Sequence, residues 1–289
     1  PGGWRLWWMA IRPKTLTIAV APVVAGTALA AAAQGRVHWL PAVAALFGAL
    51  AIQAGTNLYN DVADALRGGD QPMRQGPPRV TALGWATPAR VRVAALAAFG
   101  LAALAGLYLA MVGGWPIIAL GATSLAAGWA YSGGPRPIAY TALGEVFVVA
   151  FFGVGAVAGT AWLQGQGPSP EVVVAGIALG LIAAAVLLAN NYRDIEPDRL
   201  AGRRTLAIRI GPEPSKAVYG ALLAVALGLL ACPLGPHGGW LALGAAPLAV
   251  HLVMRFSAQP RGPAFNAILA STARLQLVVA ALVAAGAWL

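Results

Sequence analysis

The chain has 289 residues, of which 59% are hydrophobic and only 10% charged, and its 19 Lys and Arg against 9 Asp and Glu give a formal charge of +10. That composition excludes an ordinary water-soluble domain and points to a polytopic membrane protein. One cysteine, Cys232, excludes an intramolecular disulfide and a cysteine-held metal cluster, and His38, His237 and His251 are too scattered to ligate an ion together.

A helix needs about 20 apolar residues to cross the bilayer core. Nine runs meet that need, near residues 15–34, 39–60, 91–112, 115–132, 141–163, 170–191, 216–233, 239–256 and 268–288. The first follows Arg12-Pro13-Lys14 and is too long, and too closely followed by other spans, for a cleaved signal peptide. The expected fold is all-α, with residues 1–289 forming one membrane domain. Similar acidic motifs close runs two and six, so the expected architecture is two four-helix units plus a ninth helix. Small residues dominate the spans and let helices approach closely in lipid.

The loops settle the meaning of the charge. All Lys and Arg residues except Arg36 and Arg274 fall in or beside the N-terminal tail and the loops after runs two, four, six and eight. This positive-inside pattern places the N-terminus and both acidic motifs in the cytoplasm and the C-terminus outside, in an inner cell membrane. Trp39, Trp115, Trp162, Trp240 and Trp288 fall at outer helix ends, as an interfacial belt would. The basic excess is therefore topology, with anionic lipid and phosphate as contacts and no nucleic acid. Loop 61–90, rich in Gly and Pro, reads as an irregular lid with a short helix after Thr87-Pro88, and loop 192–215 carries the basic strip Gly202 to Gly211.

Six of the nine acids, Asp61, Asp64, Asp70, Asp194, Glu196 and Asp198, sit in or just after two segments, Asn57 to Asp64 and Asn190 to Asp198. On helices, Asn57, Asp61 and Asp64 share one face, and so do Asn190, Asp194 and Asp198. Solvated helix ends are the plainer reading, but acids at a helix C-terminus oppose the macrodipole. Oxygen ligands of this kind suit Mg²⁺, which binds through a few carboxylates plus substrate phosphates. Asp61, Asp64, Asp194 and Asp198 are the expected metal ligands, and Glu196 points away from the shared face. Glu145 stands near the membrane face of span five, where an acid is costly unless paired or wet. It is expected to polarise the substrate's hydroxyls or to pair with an arginine. Gln53, Asn266 and Gln276 read as interhelical hydrogen-bond residues.

The motifs Asn60-Asp61-Val62-Ala63-Asp64 and Asp194-Ile195-Glu196-Pro197-Asp198 resemble those of the UbiA superfamily of intramembrane prenyltransferases. Finer details are most similar to its 1,4-dihydroxy-2-naphthoate polyprenyltransferases of menaquinone synthesis. They are Arg12 to Leu16, Asp64 through Gly68 to Asp70 with Gly76 to Arg79, Tyr131 to Pro137 running into Gly144 to Phe147, and Asn190 to Gly211. The resemblance implies that Mg²⁺ bridges the carboxylates and the diphosphate of an allylic polyprenyl diphosphate. Ionisation of C1–O gives an allylic cation, the naphthoate ring attacks it, and loss of CO₂ and a proton restores aromaticity. It also implies substrate contacts for Asn57, Asn60, Asp70, Asn190 and Asn191. Arg79, Arg136, Arg193 and Arg204 are then candidates to clamp diphosphate oxygens, Tyr131 to touch them, and Lys14 to meet the naphthoate carboxylate.

A secondary transporter is the alternative from another class, since nine helices with a pseudo-repeat fit it too. Nearly all acids lie at cytoplasmic helix ends and not at the midplane, which favours an enzyme. Among enzymes, 4-hydroxybenzoate, homogentisate and haem stay open as prenyl acceptors on residue physics alone.

Overall fold

A computed structural model describes residues 3–68 and 75–289. Peptide groups in lipid must find partners within the chain, and the described residues answer with helices. A short helix, α1 (Trp4–Ala10), turns through Ile11 and Arg12 into α2 (Pro13–Gln34). Helices α3 (Trp39–Leu66) and α4 (Pro88–Gly113) lie side by side, and α5 (Trp115–Ser132) packs on both. A 3-10 turn at Ile138–Tyr140 leads to α6 (Gly144–Val148), a π-helical stretch (Val149–Gly155) and α7 (Ala156–Leu163), which follow one another without a break.

The core gathers on α8 (Pro170–Arg193), whose Ala178, Leu179, Ile182 and Leu188 are fully buried. Around it stand α2, the π-helical stretch, α11 (Pro212–Ala231) and α13 (Phe265–Gly286). Two short helices, α9 (Ile195–Leu200) and α10 (Leu206–Ile210), follow α8, and α12 (Ala246–Ala258) precedes α13. Local sequence sets several boundaries. Thr87 and Ser169 accept the amides of Arg90 and Val172, each at 3.4 Å, and proline follows both caps. Helix α8 stops at Arg193 because Pro197 has no N–H to give that carbonyl and its ring would crowd it.

Apolar burial gives little drive for helix association within lipid, so close backbone contact has to supply it. The π-helical stretch meets α8 in this way. A Cβ on Gly180 would lie 2.9 Å from Val149 Cα, and one on Gly153 would lie 2.5 Å from the Gly176 carbonyl oxygen. Gln276 donates to the Leu179 carbonyl at 2.9 Å, the interhelical bond expected of it.

Among the described residues, eight helical stretches are long and apolar enough to cross a membrane. Trp115–Ser132, expected as the fourth of nine spans, does form a helix of 18 residues but is not one of those eight. Its two tryptophans and its Thr123, Ser124, Tyr131 and Ser132 make it more polar than the sequence run suggested. The expected lid is also shorter than 61–90, since α3 stays helical to Leu66 and Pro88 opens α4 directly.

Candidate active site

The last turns of α3 and α8 converge at one end of a cavity of about 620 Å³. Polar residues line that end: Arg12, Asn57, Asn60, Arg79, Tyr131, Asn190, Asn191, Asp194, Asp198 and Arg203. Farther in, the wall is apolar, with Phe147, Phe151 and Phe152 from the α6–π stretch and Leu120 and Leu125 from α5. Leu109, Ile117 and Leu163, packed on one another, close the far end.

Asp64 anchors the polar end. Its side chain is wholly buried, and one oxygen takes both Arg79 Nη2 and Arg203 Nη2 at 2.5 Å. Its other oxygen accepts the Tyr140 hydroxyl at 3.3 Å. Arg203 also reaches Asp198 Oδ1 at 3.4 Å and lies over the Tyr140 ring at 4.8 Å, so it ties the two motifs together. Burial opposes the charge on Arg203, but Asp64 and Asp198 outweigh it and hold its pKa above the usual arginine value. Burial and the neighbouring Asp64 charge push the Tyr140 hydroxyl up as well.

Asn60 completes the first cluster by donating to Ser132 Oγ at 2.8 Å and accepting from Arg79 at 3.1 Å. Asn57 lines the cavity while donating to the Ile11 carbonyl at 2.8 Å and Thr15 Oγ1 at 3.2 Å, which ties α3 to the α1–α2 elbow. Asp61 bonds the main chain. Its two oxygens accept the backbone amides of Val80 and Thr81, each at 3.0 Å, and it is buried outside the cavity lining. It shares a helix face with Asp64, and its two amide bonds tie the returning chain at Val80 and Thr81 to α3; neither acid is on the cavity wall itself.

In the second cluster, Asp194 accepts from the Gln75 amide and from Arg193 Nε, both at 3.2 Å. Arg193 is fully buried and also bonds Asn190 at 2.9 Å and Asn266 at 2.6 Å. Its guanidinium is bonded within the protein and is not on the cavity wall, and these bonds order the motif. Asn191 faces the cavity and donates to Glu145 Oε1 at 3.1 Å. Glu145 lies buried behind it with Oε2 unpartnered, so it is set to hold Asn191 and is not itself on the wall. Glu196 does point away and pairs with Arg261 at 2.8 Å.

Three expected basic contacts fall elsewhere. Arg136 and Arg204 are exposed and outside the lining, and the buried neighbour Arg203 takes the place expected of Arg204. Lys14 is exposed on a separate cavity of about 370 Å³ with Asn266, Ser271 and Arg274. Arg12, two residues earlier, lines the main cavity instead. Asp70 lies outside the described residues. Sequence reasoning missed Arg203 and Tyr140, and the aromatic-over-guanidinium pair had no pattern to announce it.

Among the described residues no three acids, histidines or cysteines stand close enough to enclose an ion alone. The donor chemistry nonetheless fits a hard divalent cation. It offers carboxylates and amides only, with Asp64, Asp194 and Asp198 each already meeting a positive guanidinium. An ion that binds through one or two carboxylates plus substrate phosphates needs no protein-only cage.

The sequence profile of the UbiA prenyltransferase family matches residues 19–268. A Mycobacterium tuberculosis 1,4-dihydroxy-2-naphthoate octaprenyltransferase is 40% identical over 97% of this chain and 96% of its own length. The Escherichia coli protein of the same description is 38% identical over 85% of this chain and 83% of its own. A UbiA homolog from Archaeoglobus fulgidus, solved bound to GPP and Mg²⁺, superposes with a TM-score of 0.66, covering 98% of this chain and 100% of that one at 16% identity. By profile, sequence and fold, the chain belongs to the UbiA prenyltransferase family.

Proposed function

We propose that this protein transfers a polyprenyl group from an allylic polyprenyl diphosphate to 1,4-dihydroxy-2-naphthoate with loss of CO₂, giving the hydroquinone demethylmenaquinol. The observation that carries the acceptor is the 40% identity, spread over nearly the whole chain, to an enzyme named for that substrate. The cavity supports the reaction class: a polar end rich in carboxylates and guanidiniums opens into an apolar interior suited to an isoprenoid tail.

Asp64, Asp194 and Asp198 are the residues that would hold Mg²⁺. Bound there, the ion would draw negative charge from the diphosphate leaving group. Arg79 and Arg203 stand on the same carboxylate and face the cavity, where they offer forked donors to diphosphate oxygens. Tyr131 offers a hydroxyl from the opposite helix, α5. Asp61, Arg193 and Glu145 act through others, fixing Arg79's loop, Asp194 and Asn191 respectively. The C1–oxygen bond breaks with its electron pair leaving on diphosphate, the ring-carbon bond to C1 forms, and the product loses CO₂. The apolar wall excludes water from the developing allylic cation.

We read the chain as nine passes, counting Trp115–Ser132, because a helix there lets the two motif-bearing helix ends face the same side. The lysine and arginine bias makes that side cytoplasmic and the C-terminus external. Offering the purified protein one polyprenyl diphosphate with 1,4-dihydroxy-2-naphthoate, 4-hydroxybenzoate or homogentisate tests the reading. The expected product comes from the naphthoate, and exclusive use of either other acceptor would overturn it.

A further inference from the structure

Arg12, Arg79 and Arg203 line the motif end of the cavity with Arg193 buried behind it, and three of these four guanidiniums have their anions. Arg79 and Arg203 share Asp64, and Arg193 holds Asp194. Arg12 differs. Among the described residues no carboxylate pairs with it, and its Nη2 is buried without a hydrogen-bond partner. An unpaired cation removed from water is costly unless an anion arrives to meet it.

The backbone is also bent to put it there. Arg12 has φ of 55°, and it is the one non-glycine residue with positive φ among those described. Such a conformation stores strain, and it persists because the elbow is held from several directions. Thr15 returns both its amide and its hydroxyl to the Arg12 carbonyl at 2.9 Å, and Asn57 holds the Ile11 carbonyl at 2.8 Å. The elbow thus aims the guanidinium into the cavity while Lys14, two residues on, faces another surface. Burial and the nearby Arg79 charge lower the Arg12 pKa to about 10 against the opposing pull of Asp61 and Asp64, neither of which pairs with it, so it stays charged at neutral pH.

We propose that Arg12 is the receptor for the carboxylate of the aromatic acceptor, a role that rests on the naphthoate reading above. A planar guanidinium presents two parallel donors that match a carboxylate. The diphosphate has other partners, since the acids and their arginines come from α3, α8 and the loops after them. Arg12 enters from α1–α2, a segment with no acid of its own, and so supplies a second anion site in the same cavity.

The test measures binding, not turnover. Affinities of 1-hydroxy-2-naphthoate and of 1-naphthol, which lacks the carboxylate, are read by ligand fluorescence, and that of geranyl thiodiphosphate with Mg²⁺ by calorimetry. The proteins are the parent chain, Arg12→Gln, Arg12→Gly (which suits the backbone angle) and Lys14→Gln. Both Arg12 variants should bind the hydroxynaphthoate roughly tenfold to a hundredfold more weakly, the loss of a charge-assisted pair, with 1-naphthol and the thiodiphosphate unchanged. Weaker thiodiphosphate binding would make Arg12 a diphosphate ligand and overturn the proposal. An equal loss for 1-naphthol, or a carboxylate effect at Lys14 and not Arg12, would overturn it too. If the parent chain binds 4-hydroxybenzoate in preference to the naphthoate, the acceptor reading fails. The role of Arg12 then stands if Arg12→Gln weakens 4-hydroxybenzoate but not phenol, and falls if it weakens both alike.

Discussion

Replacing Asp61 by Asn separates a residue that anchors a loop from one that binds a metal. Its Oδ2 and Oδ1 accept the amides of Val80 and Thr81, each at 3.0 Å, with 1% of the residue exposed. Asparagine can accept only one of these, and its NH₂ then faces the second N–H donor to donor. The lost charged acceptor is worth about 1.5–3 kcal/mol, and water has no access to repair it. Arg79 directly precedes Val80, so the same loosening slackens its grip on Asp64. The melting midpoint of Asp61→Asn in detergent should therefore fall, and turnover with it, while the Mg²⁺ concentration for half-maximal activity stays put. Asp64→Asn should instead raise that concentration strongly. Both are read by titrating Mg²⁺ into a diphosphate-release assay at a temperature where each variant is folded. An Asp61→Asn protein with parent-like melting and a much higher Mg²⁺ requirement would refute the loop-anchor reasoning.

Other consequences are as concrete. Excess EDTA should abolish turnover and added Mg²⁺ restore it, whereas full activity in chelator would sink the metal-assisted scheme. Gly180→Val must displace Val149, whose Cα would lie 2.9 Å from the new Cβ; overpacking of this kind costs about 1–3 kcal/mol and should lower the melting midpoint. Gly100→Ala, with open space around it, should leave melting unchanged. The raised Tyr140 pKa means the folded state favours the protonated phenol. Its contribution relative to Tyr140→Phe should be constant below about pH 10 and shrink as pH climbs through the raised value, and a loss already complete at pH 8 would contradict it. In a Cys232→Ala background, a cysteine at position 237 should react with impermeant reagent from outside the cell, and one at 67 should not.

The two acidic clusters were legible because carboxylates at membrane helix ends are rare and costly, so each needs a reason. What each carboxylate does was not. Asp61 and Asp64 sit on one helix face, and only the return of the chain at Val80 and Thr81 gives Asp61 its separate partners. Arg203 and Arg204 are equivalent as letters, yet one is buried on Asp64 and the other exposed. Arg12 and Lys14 are likewise neighbours whose directions depend on a left-handed elbow that no residue preference announces. No residue preference announces the π-helical stretch, where Gly153 fits closely against Gly176 and Gly180 on α8. Hydropathy found the long runs but not the polar content that sets Trp115–Ser132 apart from the eight apolar stretches.

The central claim is a prenyl transfer in which the acceptor loses its carboxyl carbon. It is tested most directly with 1,4-dihydroxy-2-naphthoate carrying ¹³C at the carboxylate, incubated with a polyprenyl diphosphate, Mg²⁺ and the purified protein. The account predicts ¹³CO₂ and diphosphate released in equal amounts, with a prenylated product free of label. Diphosphate release without ¹³CO₂, or a prenylated product that keeps the labelled carboxylate, would contradict it.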